Sequence, residues 1–253
     1  TTSMYQLVRE LNKNGFATEV LITGGHGPLV EWLQKEGIKV RLEKDLLSYG
    51  HGNGARTPFW SFPPFKPLTD LRKLPSSVRA YHQIIEELNV DLVYLNSSIL
   101  WPAAIAAKRA GVKVVTHVRE VWYHGTFGLR KRFFIRLTEK LSKTIIVLSE
   151  FSRSQFKEIK KVHLAYNAVD FNRYDFVEKE DKPSLKNKLG LNPTKSTVIM
   201  MGGALPHKGG QCFLEAASLI QKNRENVQFV VLGKVDPYYP ADKISIKAII
   251  RKL

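Results

Sequence analysis

The stretch 198-VIMMGGALPHKGGQCFLEAASLI-220 passes from an apolar segment through glycines and a lysine into a helical pattern. A short apolar run, a glycine turn and an amphipathic helix in that order read as the strand, turn and helix of a βαβ unit. Within the turn, 202-GGALPHKGG-210, the glycines let the backbone approach a ligand closely. The following helix presents N–H groups with no intrahelical partner, and Lys208 adds a full positive charge. Those features compose an anion site; the other reading of the same residues is a tight strand-to-helix corner. The spacing fits neither G-x-x-x-x-G-K-[ST] nor G-x-G-x-x-G, so neither standard nucleotide loop is present.

Working back from that unit, the same alternation recurs. Helical spacing at Met4, Leu7, Val8 and Leu11 ends at Gly15 and gives way to the strand-like 19-EVLIT-23, and Leu29, Leu33 and Gly37 lead into 38-IKVRL-42. After a long connection, 78-VRAYHQIIEEL-88 reads as helix, 91-DLVYL-95 as strand, 99–110 as helix, 112-VKVVTH-117 as strand, 128–142 as helix and 144-TIIVLS-149 as strand. A short helix over 150–158 and the strand 162-VHLAY-166 follow. Strands alternating with helices imply a parallel sheet covered on both faces. The polar stretch 176-FVEKEDKPSLKNKLGLNPTK-195, with Pro183 and Pro193, marks a junction. Beyond it lie strand 196–202, helix 209–223, strand 227-VQFVVLG-233 and an amphipathic 243-KISIKAIIRKL-253. The expectation is an α/β protein with one domain over 1–175 and a partial second domain over 176–253. Both ends are expected to lack pieces: a helix opens the chain where such sheets start with a strand, and the second unit stops after one βαβ repeat.

Composition limits the partners. A chain of 253 residues, 43% hydrophobic and 25% charged, is globular rather than disordered. The single Cys212 excludes an intrachain disulfide, and no Cys/His spacing suits a metal, so a cytoplasmic location is the default and no metal is expected. No apolar run is long enough to span a bilayer. Thirty-nine Lys and Arg against 23 Asp and Glu give a net charge of +16, which attracts nucleic acid, anionic lipid or phosphorylated small molecules. No RNP-like aromatic pattern, zinc-finger spacing or basic region with heptads is present, so nucleic acid is not the expected partner.

Three segments, 163-HLAYNAVDFNRY-174, 183-PSLKNKLGLNPTKSTVIMMGGALPHKGGQCFLEAASLI-220 and 227-VQFVVLGK-234, resemble successive landmarks of the family 4 glycosyltransferases. These are the N-x-V-D turn, the L-G-L segment, and the strand, Gly loop, Lys-Gly and helix. Upstream, 10-ELNKNGFATEVLITGGHGPLVEWLQKEGIKV-40 resembles the family's first helix-strand-helix and 111-GVKVVTHVREVW-122 its central strand with the acceptor-side loop. The resemblance implies a GT-B architecture, two Rossmann-like domains, the first holding an acceptor and the second a nucleotide-diphosphate sugar. It also implies retention of anomeric configuration and no cofactor or tightly bound metal. A leaving diphosphate gains negative charge, which a preorganised cation and helix N–H donors can stabilise. Lys208, at the family's Lys-Gly position, is the expected catalytic cation, with Gly202, Gly203, His207 and Gly209 as further donor-binding residues. Where the family commonly has an Arg or other polar residue, this chain has Gly203, so charge stabilisation rests on Lys208 alone or shared with His207. The family's Glu-x7-Glu segment would lie beyond Leu253.

On the acceptor side, His117 ends a buried strand at its carboxyl edge, where ligands of open α/β sheets collect. Arg119, Glu120 and His124 join it in a polar cluster, and the family has a functional residue near His117, so His117 is the second catalytic candidate. The other reading is a capped strand with Arg119 paired to Glu120. Gly25 and His26, in 24-GGHGP-28, and Asn96, with Ser97 and Ser98, also follow strand ends and are acceptor-side candidates. The connection 49-YGHGNGARTPFWSFPPFKPL-68 reads as an acceptor lid or a disordered loop; Arg56, Phe59 and Trp60 are its candidate contacts. In 129-LRKRFFIRLTEKLSK-143, Leu129, Phe133, Phe134, Leu137 and Leu141 fall on one face among basic residues. That pattern fits docking on the inner face of the cell membrane or, equally, a helix packed on its own sheet.

The function expected from these residues together is transfer of a hexose from a nucleotide sugar to a hydroxyl of a lipid-linked or polysaccharide acceptor. The alternative is a non-catalytic or truncated homologue that binds an anionic glycan or phosphate.

Overall fold

The computed structural model describes residues 2–48, 66–122, 128–169, 181–204 and 208–233. They fall into two compact units, one of residues up to 168 and the other of residues from 169 onward.

In the first unit, α1 (Thr2–Lys13), β1 (Glu19–Ile22), α2 (Pro28–Lys35) and β2 (Lys39–Leu42) form a parallel two-stranded sheet with its helices. Val8, Val20, Leu33 and Ile38 close its core. Next come α3 (Lys66–Leu88), β3 (Leu92–Leu95), α4 (Trp101–Arg109), β4 (Lys113–Val118), α5 (Leu129–Leu141), β5 (Thr144–Val147), α6 (Glu150–Arg153) and β6 (Val162–Leu164). Strands β3 to β6 make a four-stranded sheet in that order, every pair parallel. The short apolar runs form strands because one set of alternate side chains is fully buried: Leu95, Val114, Thr116, Val118, Ile145 and Val147. Against that face pack α4, through Ala103, Ala104, Ala106 and Ala107, and α5, through Phe134 and Ile135. The alanines let α3 come close as well, through Val78, Tyr81, Ile84 and Ile85. Thr116 Oγ1 and Ser142 Oγ, 2.7 Å apart in the interior, fix β4 against the end of α5. On the opposite face Tyr94, Val115 and Ile146 are half-buried and His163 is exposed, while His117 is buried, so the expected full burial on both faces holds for one of them.

Helix α3 starts at Lys66, twelve residues before the start at residue 78 expected from its apolar period, and carries Pro75 inside. The proline has no N–H to give the carbonyl four residues earlier, and, one residue on, Ser76 Oγ donates to the Lys73 carbonyl at 2.9 Å. The last residues of the expected loop 49–68 are therefore helical.

In the second unit, α7 (Lys182–Lys188), β7 (Ser196–Met201), α8 (Gly210–Asn223) and β8 (Val227–Leu232) give a parallel β7–β8 pair. Helix α7 lies inside the stretch read as a polar junction. Asp181 caps it by accepting the Ser184 N–H at 3.3 Å, and a proline sits in its first turn. Ala204 and Leu214 are the buried apolar centre, supported by Phe213 and Val231. The amphipathic stretch 243–253 lies outside the described residues.

Candidate active site

The four-stranded sheet gathers its polar side chains at the carboxyl edge. Parallel register sets Leu95 opposite Thr116, so the residues that follow β3 lie beside the end of β4. Arg119, just past β4, ties four segments together. Its Nε donates to Asn96 Oδ1 at 2.7 Å, and its Nη1 to Ser3 Oγ at 3.1 Å and to Asn167 Oδ1 at 3.0 Å. Its Nη2 lies 3.3 Å from His117 Nδ1. Glu120 turns inward: Oε1 accepts the Ser98 N–H at 2.7 Å and the Ser98 hydroxyl, and Oε2 accepts the Arg119 N–H at 3.0 Å. Trp122 Nε1 donates to Ser98 Oγ at 3.1 Å. The expected Arg119–Glu120 pairing is thus made through the Arg119 backbone, while the guanidinium serves Asn96, Ser3, Asn167 and His117.

His117, next to last in β4, is 6% exposed. The Tyr94 hydroxyl meets its Nδ1, and the Tyr94 ring stands edge-on to it with centroids 6.0 Å apart. Burial, and then the neighbouring Arg119 cation, push its pKa down to about 4 against a smaller opposing pull from Glu120. The ring is therefore neutral at pH 7. Its Nε2 is buried and has no hydrogen-bond partner among the described residues. Burial also raises the Tyr94 pKa, so its hydroxyl keeps its proton.

The structure therefore brings together His117, Arg119, Glu120 and Asn96. It adds Tyr94, Ser98, Asn167, Ser3 and Trp122, of which sequence reasoning assigned none to the site beyond a secondary place for Ser98. Asn167 stands in the quoted N-x-V-D turn, which was its one signal.

Gly25 and His26 are exposed in the turn at the carboxyl end of β1. A Cβ on Gly24, Gly25 or Gly27 would meet nothing within 4 Å, and none of the three is in the left-handed region. The turn itself does not require glycine there; what the glycines provide is open space in front of α2.

In the second unit the loop glycines serve the fold. The N–H groups of Gly202 and Gly203 both donate to the Leu232 carbonyl, at 3.0 and 2.8 Å. A Cβ on Gly233 would lie 2.7 Å from Gly203 N, and one on Gly210 would lie 2.5 Å from the Ala204 carbonyl carbon. Here the glycines bring backbone against backbone, and the amides of Gly202 and Gly203, both expected donor-binding residues, are used within the fold. Lys208 and Gly209 are exposed, and no side chain caps α8, whose first amides follow Gly209 directly. His124, Arg56, Phe59, Trp60 and His207 lie outside the described residues.

The basic helix α5 divides differently from the expected single apolar face. Phe134 is 4% exposed and Phe133 57%, because consecutive helical residues point about 100° apart. Phe134, Ile135 and Thr138 face the core and Leu137 packs partly against it, whereas Phe133 stands in an outer groove with Arg132, Arg136, Lys140 and the edge of Leu137. Among the described residues no helix is long and apolar enough to cross a membrane.

Among solved structures, HepE of Anabaena in complex with UDP and glucose superposes with a TM-score of 0.65 at 18% identity, over 99% of this chain and 61% of that one. A glycosyltransferase from Rickettsia africae gives 0.60 at 15%, over 92% and 64%. A UDP-GlcNAc 2-epimerase from Neisseria meningitidis bound to UDP-GlcNAc gives 0.59 at 17%, over 99% and 66%. The chain thus has the α/β, parallel-sheet GT-B architecture with Rossmann-like units, and spans about 61% of the length of the first of these structures. No curated protein matches the sequence. The sequence model of Glycosyltransferase Family 4 matches residues 1–173, more than half of the chain, and the chain belongs to that family.

Proposed function

We propose that this chain is part of a metal-independent, retaining glycosyltransferase that moves a hexose from a nucleotide-diphosphate sugar to a hydroxyl of a lipid-linked or polysaccharide acceptor. The observation that carries the reading is the polar edge around His117. A neutral, buried imidazole whose Nε2 has no partner among the described residues stands at the end of a central parallel strand, and Arg119 holds it in place. Such a group suits hydrogen bonding to sugar oxygens. Membership of Glycosyltransferase Family 4, and structural relatives solved in complex with UDP and glucose or bound to UDP-GlcNAc, support a nucleotide sugar as donor.

In this reading residues 1–175 take the acceptor, with Gly25, His26, Asn96, Arg119 and the loop residues Arg56, Trp60 and His124 around it. Glu120 acts from within, by fixing Ser98 and the Arg119 backbone. Residues 176–253 take the donor. Lys208, with the uncapped start of α8, neutralises charge that builds on the leaving diphosphate, and His207 adjoins it. The outer face of α5 holds the protein at the cytoplasmic face of the membrane, where a lipid-linked acceptor resides.

The test is transfer by the full-length protein from a panel of nucleotide sugars. His117→Ala and Lys208→Ala are each expected to abolish most turnover while leaving the fold intact. A protein that binds phosphate or an anionic glycan but transfers no sugar would favour a non-catalytic homologue instead.

A further inference from the structure

We infer that Tyr94 is a positioning residue which, with Arg119, holds His117 as the tautomer protonated on Nε2, so that His117 meets a substrate oxygen as a hydrogen-bond donor. The first part rests on geometry alone; the substrate oxygen rests on the proposed function of the site.

His117 Nδ1 has two neighbours, the Tyr94 hydroxyl and Arg119 Nη2 at 3.3 Å. A guanidinium has five N–H donors and accepts nothing. A proton on Nδ1 would point one donor at another, and Arg119 is not free to turn away because Asn96, Ser3 and Asn167 hold its other nitrogens. Nδ1 is therefore the acceptor, and the Tyr94 O–H is the group placed to donate to it. In a neutral imidazole the one remaining proton is then on Nε2. A doubly protonated ring would bring two cations together in a buried place.

Nε2–H is thereby a buried donor with no partner among the described residues. Left unsatisfied, such a group is destabilising, because burial has cost it its hydrogen bond to water. At the carboxyl edge of a parallel sheet the natural acceptor is an oxygen of the bound ligand. A ring held this way does not remove protons through Nε2. It binds and orients, and the reacting sugar is what it would orient.

Nitrogen NMR of selectively labelled histidine at pH 7 tests the first part without any assay of activity. The expected spectrum for His117 has an unprotonated Nδ1 and a protonated Nε2; the reverse pattern, or two protonated nitrogens, would overturn the inference. In Tyr94→Phe, which keeps the ring but loses the hydroxyl, the Nδ1 resonance is expected to move and a second tautomer to become populated. An unchanged spectrum would assign the lock to Arg119 alone and remove Tyr94 from the role. Should that variant fail to fold, the wild-type spectrum still decides the tautomer.

The second part is read in transfer assays. His117→Gln, whose amide N–H reaches the place of Nε2–H, is expected to keep at least about tenfold more activity than His117→Glu, which offers only an acceptor at pH 7. Equal loss in both would sink the donor role. Deoxy analogues of the accepted donor sugar then name the oxygen: one hydroxyl should matter in the wild type and not in His117→Ala. If every deoxy analogue loses as much in both proteins, the oxygen belongs to phosphate and the sugar assignment is wrong.

Discussion

Arg119 donates from Nη1 to Asn167 Oδ1 at 3.0 Å, joining the turn after β6 to the turn after β4. The same guanidinium holds Asn96 after β3 and Ser3 at the start of α1. Three strand ends and a helix start are thus fixed relative to His117 by one planar group, and its fork supplies directions that a lysine ammonium cannot.

Arg119→Lys is therefore not conservative. It is expected to lower unfolding stability by about 2 kcal/mol, from the loss of several charge-assisted hydrogen bonds offset in part by solvent. Sugar transfer should fall by a larger factor than stability explains, because Asn96 and His117 lose their common anchor. Urea unfolding and kcat/KM measured on the same preparation check both. Asn167→Ala removes one of these bonds and should be milder in each measurement.

Much of this edge was legible in the sequence, and what was missed depends on register. His117, Arg119 and Asn96 follow directly from apolar runs that could only be parallel strands, so their place at strand ends was readable. Tyr94 and Ser3 were not, because their partners are set by which residue of β3 faces which of β4, and by where α1 begins. The apolar period of α3 is legible only from residue 78, because Pro75 interrupts the pattern before it. The packing of Val78, Tyr81 and Ile84 on the alanines of α4 outweighs that local cost. Helix α7 leaves no period to read, because 182–188 contains one apolar side chain besides its proline, Leu185. The sequence of loop 202–210 points to anion chemistry, whereas its glycines first serve the close passage of Gly203 by Gly233 and of Ala204 by Gly210.

The pKa of His117 is depressed to about 4 in the folded protein, against about 6.5 for an unhindered histidine. Between those values the unfolded chain binds a proton that the folded protein does not. Stability from this group is thus fully present above about pH 6.5, is lost as pH falls toward about 4, and changes little below. The full loss is about 3 kcal/mol. The stability difference between wild type and His117→Gln, followed by urea unfolding from pH 8 to pH 4, should therefore shift against the wild type over that window. A pH-independent difference would mean that His117 titrates normally.

Three substitutions separate fold from chemistry in the glycine turns. Gly210→Ala forces a Cβ against Ala204 backbone and is expected to destabilise the second unit by about 2 kcal/mol or more. Gly25→Ala has open space and no conformational demand, so stability should be unchanged; a fall in transfer would then report lost room for a ligand. Lys208→Ala, at an exposed position, should also leave thermal unfolding unchanged while lowering kcat by orders of magnitude. Near-normal turnover would remove Lys208 from the proposed mechanism.

On α5 the exposed Phe133 stands in a groove with Arg132, Arg136 and Lys140, while the same helix is anchored from behind by Phe134 and Ile135. The Phe133 ring meets the buried Phe134 ring edge-on, with centroids 5.4 Å apart, yet stays 57% exposed; an exposed ring surrounded by cations matches a surface of anionic headgroups over acyl chains. Each cation near such a surface contributes about 1 kcal/mol. Replacing Arg132, Arg136 and Lys140 together by Gln should therefore weaken binding to vesicles of mixed phosphatidylglycerol and phosphatidylcholine by about a hundredfold or more at low salt. Added salt should weaken the wild type toward the variant, since exposed charges are screened within about a Debye length. Phe133→Ser should weaken binding with little salt dependence, because the contribution lost is apolar. Equal binding by all three proteins would return α5 to the other reading, a helix packed on its own sheet with a solvated basic face.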